Sequence, residues 1–263
     1  MSLERFVKSP EAIAKMRVVN QMVAQTLVMI APYVEAGITT KALNDICHAY
    51  IVDELNAYPA SLGYRGFPES LCTSVNHVVC HGIPSDKKLK NGDIINIDIL
   101  ILYEGYHGDS SRMYYVGEPS VKARRVCEIS QECLYLGIAM VKPGVNLRDI
   151  GAAIQAHAEK NRLSVVREYC GHGVGEVIHE QGFQVLHYDE PGISDAYLLP
   201  GMTFTIEPML NFGGKAVKTL PDQWTVITKD HSLSAQWEHT LLVTDDGVEV
   251  LTVRPEEEGK IPC

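Results

Sequence analysis

The chain has 263 residues, 46% of them apolar and 21% charged, and a formal net charge of −10. That length holds one large α/β or α+β domain or two small ones, and the apolar share can fill a substantial core. The acidic balance argues against a nucleic-acid or anionic-membrane partner, since both recruit basic patches, and is compatible with a site that takes cations.

In chain order, the lead MSLERFVKSPEAIAKM is polar and charged, unlike the basic-then-apolar pattern of a secretory signal. Residues 9 to 31 read as a helix: Ser9 can cap, Pro10 suits the first turn, and Ile13, Met16, Val19, Val23 and Leu27 fall at helical spacing. A second helix is expected over Thr39 to Asn56. Gly63 to Thr73, rich in Gly, Pro and aromatics, reads as a functional loop or an irregular edge. Strands follow around Ser74–Val79, Asp93–Tyr103 and Tyr106–Val116. Two further helices read from Lys122 to Met140 and from Leu147 to Asn161, and the remainder reads as strand and loop. The acidic tail RPEEEGKIPC is expected to be solvated and mobile.

No apolar run reaches the ~18–20 residues that span a bilayer. Cys47, Cys72, Cys80, Cys127, Cys133, Cys170 and Cys263 are scattered and never spaced C-x-x-C, so neither a disulfide framework nor a thiolate zinc site is indicated. A reduced, cytoplasmic setting is expected. The segments EAGITTKALNDICHAYIVDELN and KPGVNLRDIGAAIQAHAEKNRL echo one another, each after a longer helix and before strands. The echo is open to two readings, a duplicated α+β unit or coincidence. In the absence of a Ser/Gly-rich linker, one domain over 1–263 is preferred, with pseudo-symmetric halves at about 10–118 and 120–253.

The stretch GDIINIDILILYEGYHGDSSR carries the main chemical question. Ile95, Ile97, Ile99 and Ile101 share one parity and Asp98 sits on the other, inside the most apolar run of the chain. An unpaired buried carboxylate would cost several kcal/mol or stay protonated. A two-residue turn at Glu104-Gly105 places Asp98 opposite Ser111 and Asp109 opposite Leu100, leaving the aspartates diagonal neighbours roughly 7–8 Å apart; a bulge at Gly108 would alter that register. Glu207 and Glu238 are likewise acids in β-patterned apolar stretches, and His172 lies in CGHGVG, whose glycines allow close backbone approach. Any one of these reads equally as a surface strand residue; four acids and an imidazole together suit a pair of divalent cations, whose charge would nearly cancel theirs. Oxygen-rich ligation without thiolate fits Mn, Fe, Co or Zn, and paired ions are hydrolytic machinery.

GDIINIDI, GYHGDSSRM, REYCGHGVG, TFTIEPM and SAQWEHTLLVT, in that order over nearly the whole chain, resemble the type I methionine aminopeptidases of the pita-bread fold family. The resemblance implies an α+β pita-bread fold, with pseudo-twofold duplicated halves around a curved antiparallel sheet. It implies removal of N-terminal methionine before a small second residue. It also implies two divalent ions on Asp98, Asp109, His172, Glu207 and Glu238, with Asp109 and Glu238 bridging. VVCHGIP resembles the segment carrying one unligated histidine, His81; His179 is the other. By resemblance His81 positions the peptide and moves protons, His179 donates to the scissile amide and oxyanion, and Glu207 serves as base. The methionine pocket would include Tyr64, Phe67, Cys72, His81 and Trp224, with Ser61 and Ile178 departing from residues common in the family. Asn76, Val78 and Ser234 resemble its monovalent-cation site (Na or K). The implied partners are N-termini of nascent polypeptides, including at the ribosome, and the implied state is a monomer.

Five other readings are weaker. CGHGVG lacks the strand–loop–helix setting of a dinucleotide loop, HEQGF lacks the second histidine of a thermolysin-type zinc motif, and no G-x-S-x-G elbow occurs. An X-Pro aminopeptidase or prolidase would use similar ligands but generally carries a large extra N-terminal domain. A catalytically silent binding protein on the fold would have replaced ligands, and none is replaced.

Overall fold

A computed structural model describes residues 3–192 and 195–261. Ser9 accepts from the Ala12 N–H and Pro10 opens helix α1, Pro10–Ile30. Thr39 caps α2 (Thr40–Ala49) through the Ala42 N–H, and the helix runs on as a π-helical turn over Tyr50–Glu54 before Asn56 turns left-handed. Ser120 and Asn146 cap α3 (Val121–Ala139) and α4 (Leu147–Lys160) in the same way. Each side-chain oxygen satisfies one of the N–H groups a helix start leaves unpaired.

The helices back two antiparallel sheets. In the first, Ile94–Tyr103 lies at the centre, paired with Tyr58–Pro59, Cys72–Val75 and Tyr106–Tyr115. In the second, the strand order is Val248–Val250, His239–Val243, Thr203–Ile206, Gly171–Gly173, Glu180–Val185. Two three-stranded sheets lie beside them, one of Ser164–Val165, Met209–Asn211 and Ser234–Gln236, the other of Val78–Cys80, Val226–Thr228 and Val217–Thr219.

Two main cores result. Val19, Val23, Leu27 and Ile30 of α1 and Leu43 of α2 cover Ile95, Ile97, Ile99 and Ile101. Val126 and Ile138 of α3 with Ile150 and Ile154 of α4 cover Phe204, Ile206, Leu241 and Val243. Full burial of such side chains stabilises by about 1.5–3 kcal/mol each. Because strand side chains alternate, covering the isoleucine face of Ile94–Tyr103 turns Asn96 and Asp98 toward the other half of the molecule, where the Asn96 amide donates to Gln236 O at 2.8 Å.

Two expectations need correction, and the register left open at Gly108 is settled. The strand expected over Ser74–Val79 is two strands broken at Asn76, which adopts φ 57° and sends the chain from one sheet to another; Asn tolerates this left-handed region better than most residues. No bulge occurs at Gly108. It pairs in register with Ile101, and its missing side chain lets α1 approach, since a Cβ there would lie 2.9 Å from Val19 backbone. Within the described part of the tail, Arg254 and Glu257 are buried rather than solvated, because each supplies the other's counter-charge at 2.7 Å.

Candidate metal centre

Four pieces of sheet converge on one cavity of about 370 Å³. The hairpin supplies two acids in the register its turn dictates, Asp98 opposite Ser111 and Asp109 opposite Leu100. His172 is the middle residue of Gly171–Gly173, Glu207 directly follows Thr203–Ile206, and Glu238 lies between Ser234–Gln236 and His239–Val243. Asp98 and Glu207 reach solvent only partly, through the cavity, whereas Asp109, His172 and Glu238 are buried.

The geometry at the centre is tight. Asp109, His172 and Glu238 each present a ligand atom, and the three atoms lie within 4.8 Å of one another. His172 Nε2 stands 3.5 Å from Asp109 Oδ2 and 3.5 Å from Glu207 Oε1. Its Nδ1 lies 3.2 Å from Gly173 O; donation of an Nδ1–H to that carbonyl leaves the Nε2 lone pair facing the carboxylates, the tautomer a metal needs. Thr205 Oγ1 takes the His172 N–H at 3.0 Å and donates to Glu207 Oε1 at 2.9 Å, so one hydroxyl orients two members of the cluster. Gln236 Nε2 donates to Glu207 Oε2 at 3.1 Å, and the Glu207 N–H donates to His187 Nε2 at 3.1 Å.

The electrostatics suit a cation. Burial pushes Asp98 up to about 7. Burial, opposed by hydrogen bonds from Thr205 and Gln236 and reinforced by the charge of Asp98, pushes Glu207 up to about 8. Burial and the neighbouring carboxylates hold Asp109 and Glu238 well above the usual range. Burial takes the His172 imidazole down to about 3, so it is neutral and able to ligate. Four converging acids with one neutral imidazole and no thiolate are a hard, oxygen-rich donor set. Divalent ions would relieve its repulsion, and the residues fit them.

The remaining residues of interest line the same cavity or lie nearby. His179 Nδ1 is 2.8 Å from the Tyr64 hydroxyl, and its ring centroid is 4.1 Å from that of His172. Burial, helped by the charge of Arg65, brings His179 down to about 4; burial alone does the same for His81. His81 adopts φ 55° and meets Tyr169 and Trp224 edge-on, with ring centroids 5.3 and 6.0 Å away. Phe67 packs edge-on to Trp224 at 5.2 Å, and Cys72 pairs with Asp98 across the sheet. Ser61 and Ile178 also face the cavity. Apart from it, Asn76 O accepts from the Ser234 N–H at 2.8 Å, Val78 is two residues on, and the buried Ser234 hydroxyl has no partner among the described residues.

Sequence reasoning missed Gln236, Thr205 and His187. The first two had a legible signal: each lies two residues before an acid of the cluster, on the same face of its strand. His187 had none, because it comes from a loop.

The chain matches the description of metallopeptidase family M24 over residues 14–245. It is 56% identical over 252 residues to a methionine aminopeptidase of Escherichia coli (strain K12), covering 95% of each chain. Among solved structures it is similar to the methionine aminopeptidase from Rickettsia prowazekii, with TM-score 0.91, 48% identity, and 94% of this chain and 99% of that one covered. The prolidase from Pyrococcus furiosus shares the fold at TM-score 0.73 and 23% identity, with 95% of this chain and 66% of that one covered.

Proposed function

The chain belongs to metallopeptidase family M24, with its pita-bread fold, and from that premise we propose that it removes the N-terminal methionine of peptides and newly made proteins whose second residue is small. The observation that carries this reading is the convergence of Asp98, Asp109, His172, Glu207 and Glu238 on a cavity walled by aromatics, in a chain 56% identical to a curated methionine aminopeptidase. Identity to the prolidase is only 23%, which leaves no observation in favour of X-Pro cleavage.

In this reading Asp98, Asp109, His172, Glu207 and Glu238 would hold two divalent ions, and Asp109 and Glu238 would be the acids common to both. Ions held there supply Lewis-acid polarisation of the scissile carbonyl and a lowered pKa for the attacking water. Glu207, whose carboxylate oxygens are oriented by Thr205 and Gln236, would be the base that accepts a proton from the attacking water. His179 is neutral at pH 7; when Tyr64 O–H donates to its Nδ1, its Nε2 carries the proton and can donate to the amide and the developing oxyanion. His81 aligns the peptide and hands protons toward the leaving amine. The methionine side chain lies against Tyr64, Phe67, Cys72 and Trp224, aromatic faces and a soft sulfur that contact a thioether well.

The same proposal covers the finer points. The ions are drawn from Co, Mn, Fe and Zn, and Asn76, Val78 and Ser234 hold a monovalent cation (Na or K). The protein is a cytoplasmic monomer that meets its substrates as they leave the ribosome. Residues 1–263 act as one catalytic domain, its halves at about 10–118 and 120–253. The test is hydrolysis of Met-Ala-Ser with each metal supplied, alongside elemental analysis. Turnover with two ions per chain supports the reading; metal without turnover would make this a binding protein, and cleavage of X-Pro peptides alone would make it a prolidase.

A further inference from the structure

Behind the candidate bridging acids lies a layer of buried polar groups that the chemistry above does not use. Ser110 Oγ, next to Asp109, donates to the backbone carbonyl of Glu238 at 2.6 Å. Thr240 Oγ1, two residues past Glu238, donates to the backbone carbonyl of Asp109 at 2.7 Å. The two acids are thus held crosswise, each through a hydroxyl beside the other. Both grips are tied to the end of the chain. Arg254 Nη1 donates to Ser110 Oγ at 3.2 Å, and the Thr240 N–H donates to Thr252 Oγ1 at 3.1 Å.

The anchor is an ion pair in the protein interior. Arg254 is wholly inaccessible and Glu257 nearly so. Arg254 Nη2 donates to Glu257 Oε1 at 2.7 Å, and the Tyr135 hydroxyl of α3 donates to the same oxygen at 3.1 Å. His239, the neighbour of Glu238, fits between them, with Nδ1 2.9 Å from Thr252 Oγ1 and Nε2 3.4 Å from Glu257 Oε1. Burial alone would raise the Glu257 carboxyl; its contacts with His239 and Arg254 outweigh that and hold it well below the usual range, so it is ionised.

Such a pair is a poor way to gain stability, because desolvating both charges roughly offsets their attraction and apolar residues would serve as well. A guanidinium fork does fix direction, with several donors in one plane. We propose that Arg254 and Glu257 are positioning residues: the segment from Thr252 to Glu257 sets the hairpin strand that carries Asp109 against the chain at Glu238, so that both carboxylates reach the same ions. This rests on the ligand assignment proposed above.

The test is calorimetric titration of the metal-stripped protein with Mn²⁺ alone, with thermal melting and Met-Ala-Ser kinetics alongside. The double variant Arg254→Met/Glu257→Gln removes both charges, so it leaves no unpaired ion inside. It is expected to melt cooperatively but to bind Mn²⁺ several-fold more weakly, short of the about 10- to 100-fold cost of losing a direct partner of a metal ligand, because Arg254 acts through Ser110. Its kcat should fall at little change in KM. Ser110→Ala cuts the link between Arg254 and the Glu238 carbonyl while keeping the ion pair, and should weaken Mn²⁺ binding in the same direction; it decides the matter if the double variant does not fold. Mn²⁺ affinity equal to that of the unaltered chain in Ser110→Ala, or in a folded double variant, overturns the inference. Failure of the unaltered chain to take up Mn²⁺ would instead bring down the ligand assignment, and the inference with it.

Discussion

The two halves reach the cavity by different routes. The first contributes Asp98 and Asp109 on one long hairpin, Ile94–Tyr115, with ten residue pairs in unbroken register. The second contributes His172, Glu207 and Glu238 from three separate pieces of chain, whose strands are three to five residues long. In the hairpin, local geometry sets the spacing of the acids; in the second half, tertiary packing does. The spacing between Asp98 and Asp109 should therefore withstand substitutions elsewhere, whereas the placement of His172, Glu207 and Glu238 depends on their neighbours.

The largest effect is expected at the shared acids. Asp109→Ala and Glu238→Ala each remove a side chain proposed to serve both ions, so turnover of Met-Ala-Ser should fall below detection even with excess metal. Near-normal activity in either variant would contradict the assignment. Next comes His179→Ala, which should lower kcat by about 10²–10³-fold, the usual effect of removing one donor from a developing oxyanion, with bound metal unchanged by elemental analysis. Loss of metal in that variant would move His179 into the ligand set and spoil the contrast between the two kinds of histidine.

Stability against pH separates the cluster's charges from its packing. The folded protein keeps protons on Asp98 and Glu207 up to about 7 and about 8, far above their ordinary range. The stability this represents is full below the ordinary carboxylate range and is lost as pH rises through those folded values. The lowered histidines, at about 3 for His172 and about 4 for His81 and His179, act with the opposite sign, and their effect fades out about one pH unit above the ordinary histidine value of 6.5. Between roughly pH 7.5 and 8.5 the acids dominate, and EDTA-treated protein should lose on the order of 1 kcal/mol over that range. Urea unfolding at the two pH values checks this, and added Mn²⁺ should abolish the loss. A metal-stripped protein that grows more stable over the same range would show that the acids are not crowded together.

What was legible in the sequence divides along the same line. The isoleucine parity, the two-residue turn at Glu104-Gly105 and the helix caps are local signals, and the hairpin register and all four helices follow them to within a few residues. Residue types marked His172, Glu207 and Glu238 as unusual, but nothing in short strands joined by long loops says that they meet; that expectation rested on the fit of four acids and an imidazole to paired cations, and on the resemblance. In the tail, Pro255, Glu256, Glu258, Gly259 and Lys260 are exposed as expected, and the misreading is confined to the buried Arg254, Glu257 and Ile261, because three consecutive glutamates look solvated. The overlooked sign was Arg254 directly after VLTV, three residues before Glu257, a basic and an acidic residue able to satisfy each other inside. The break at Asn76 was missed because CTSV and VVC on either side both read as strand, and only the left-handed turn redirects them.

The smallest effect sharpens the comparison from the N-terminal side. Lys8 Nζ lies 2.7 and 2.9 Å from the two Glu180 oxygens, and both side chains are largely buried, at 9% and 14% exposure. Glu180 follows His179 directly, so this pair ties the N-terminal lead to the loop that carries the proposed oxyanion donor, and it touches none of the five ligand candidates. Lys8→Met should leave Mn²⁺ affinity unchanged and cost about 1–3 kcal/mol in urea unfolding, since Glu180 loses its partner but can reach water through its exposed edge. It should also lower kcat a few-fold as His179 loosens. Lys8→Met paired with Glu180→Gln should recover most of the stability but not kcat, because the tether is still gone. If kcat returned along with stability, the pair would matter only for folding, and the N-terminal lead would have no part in placing His179.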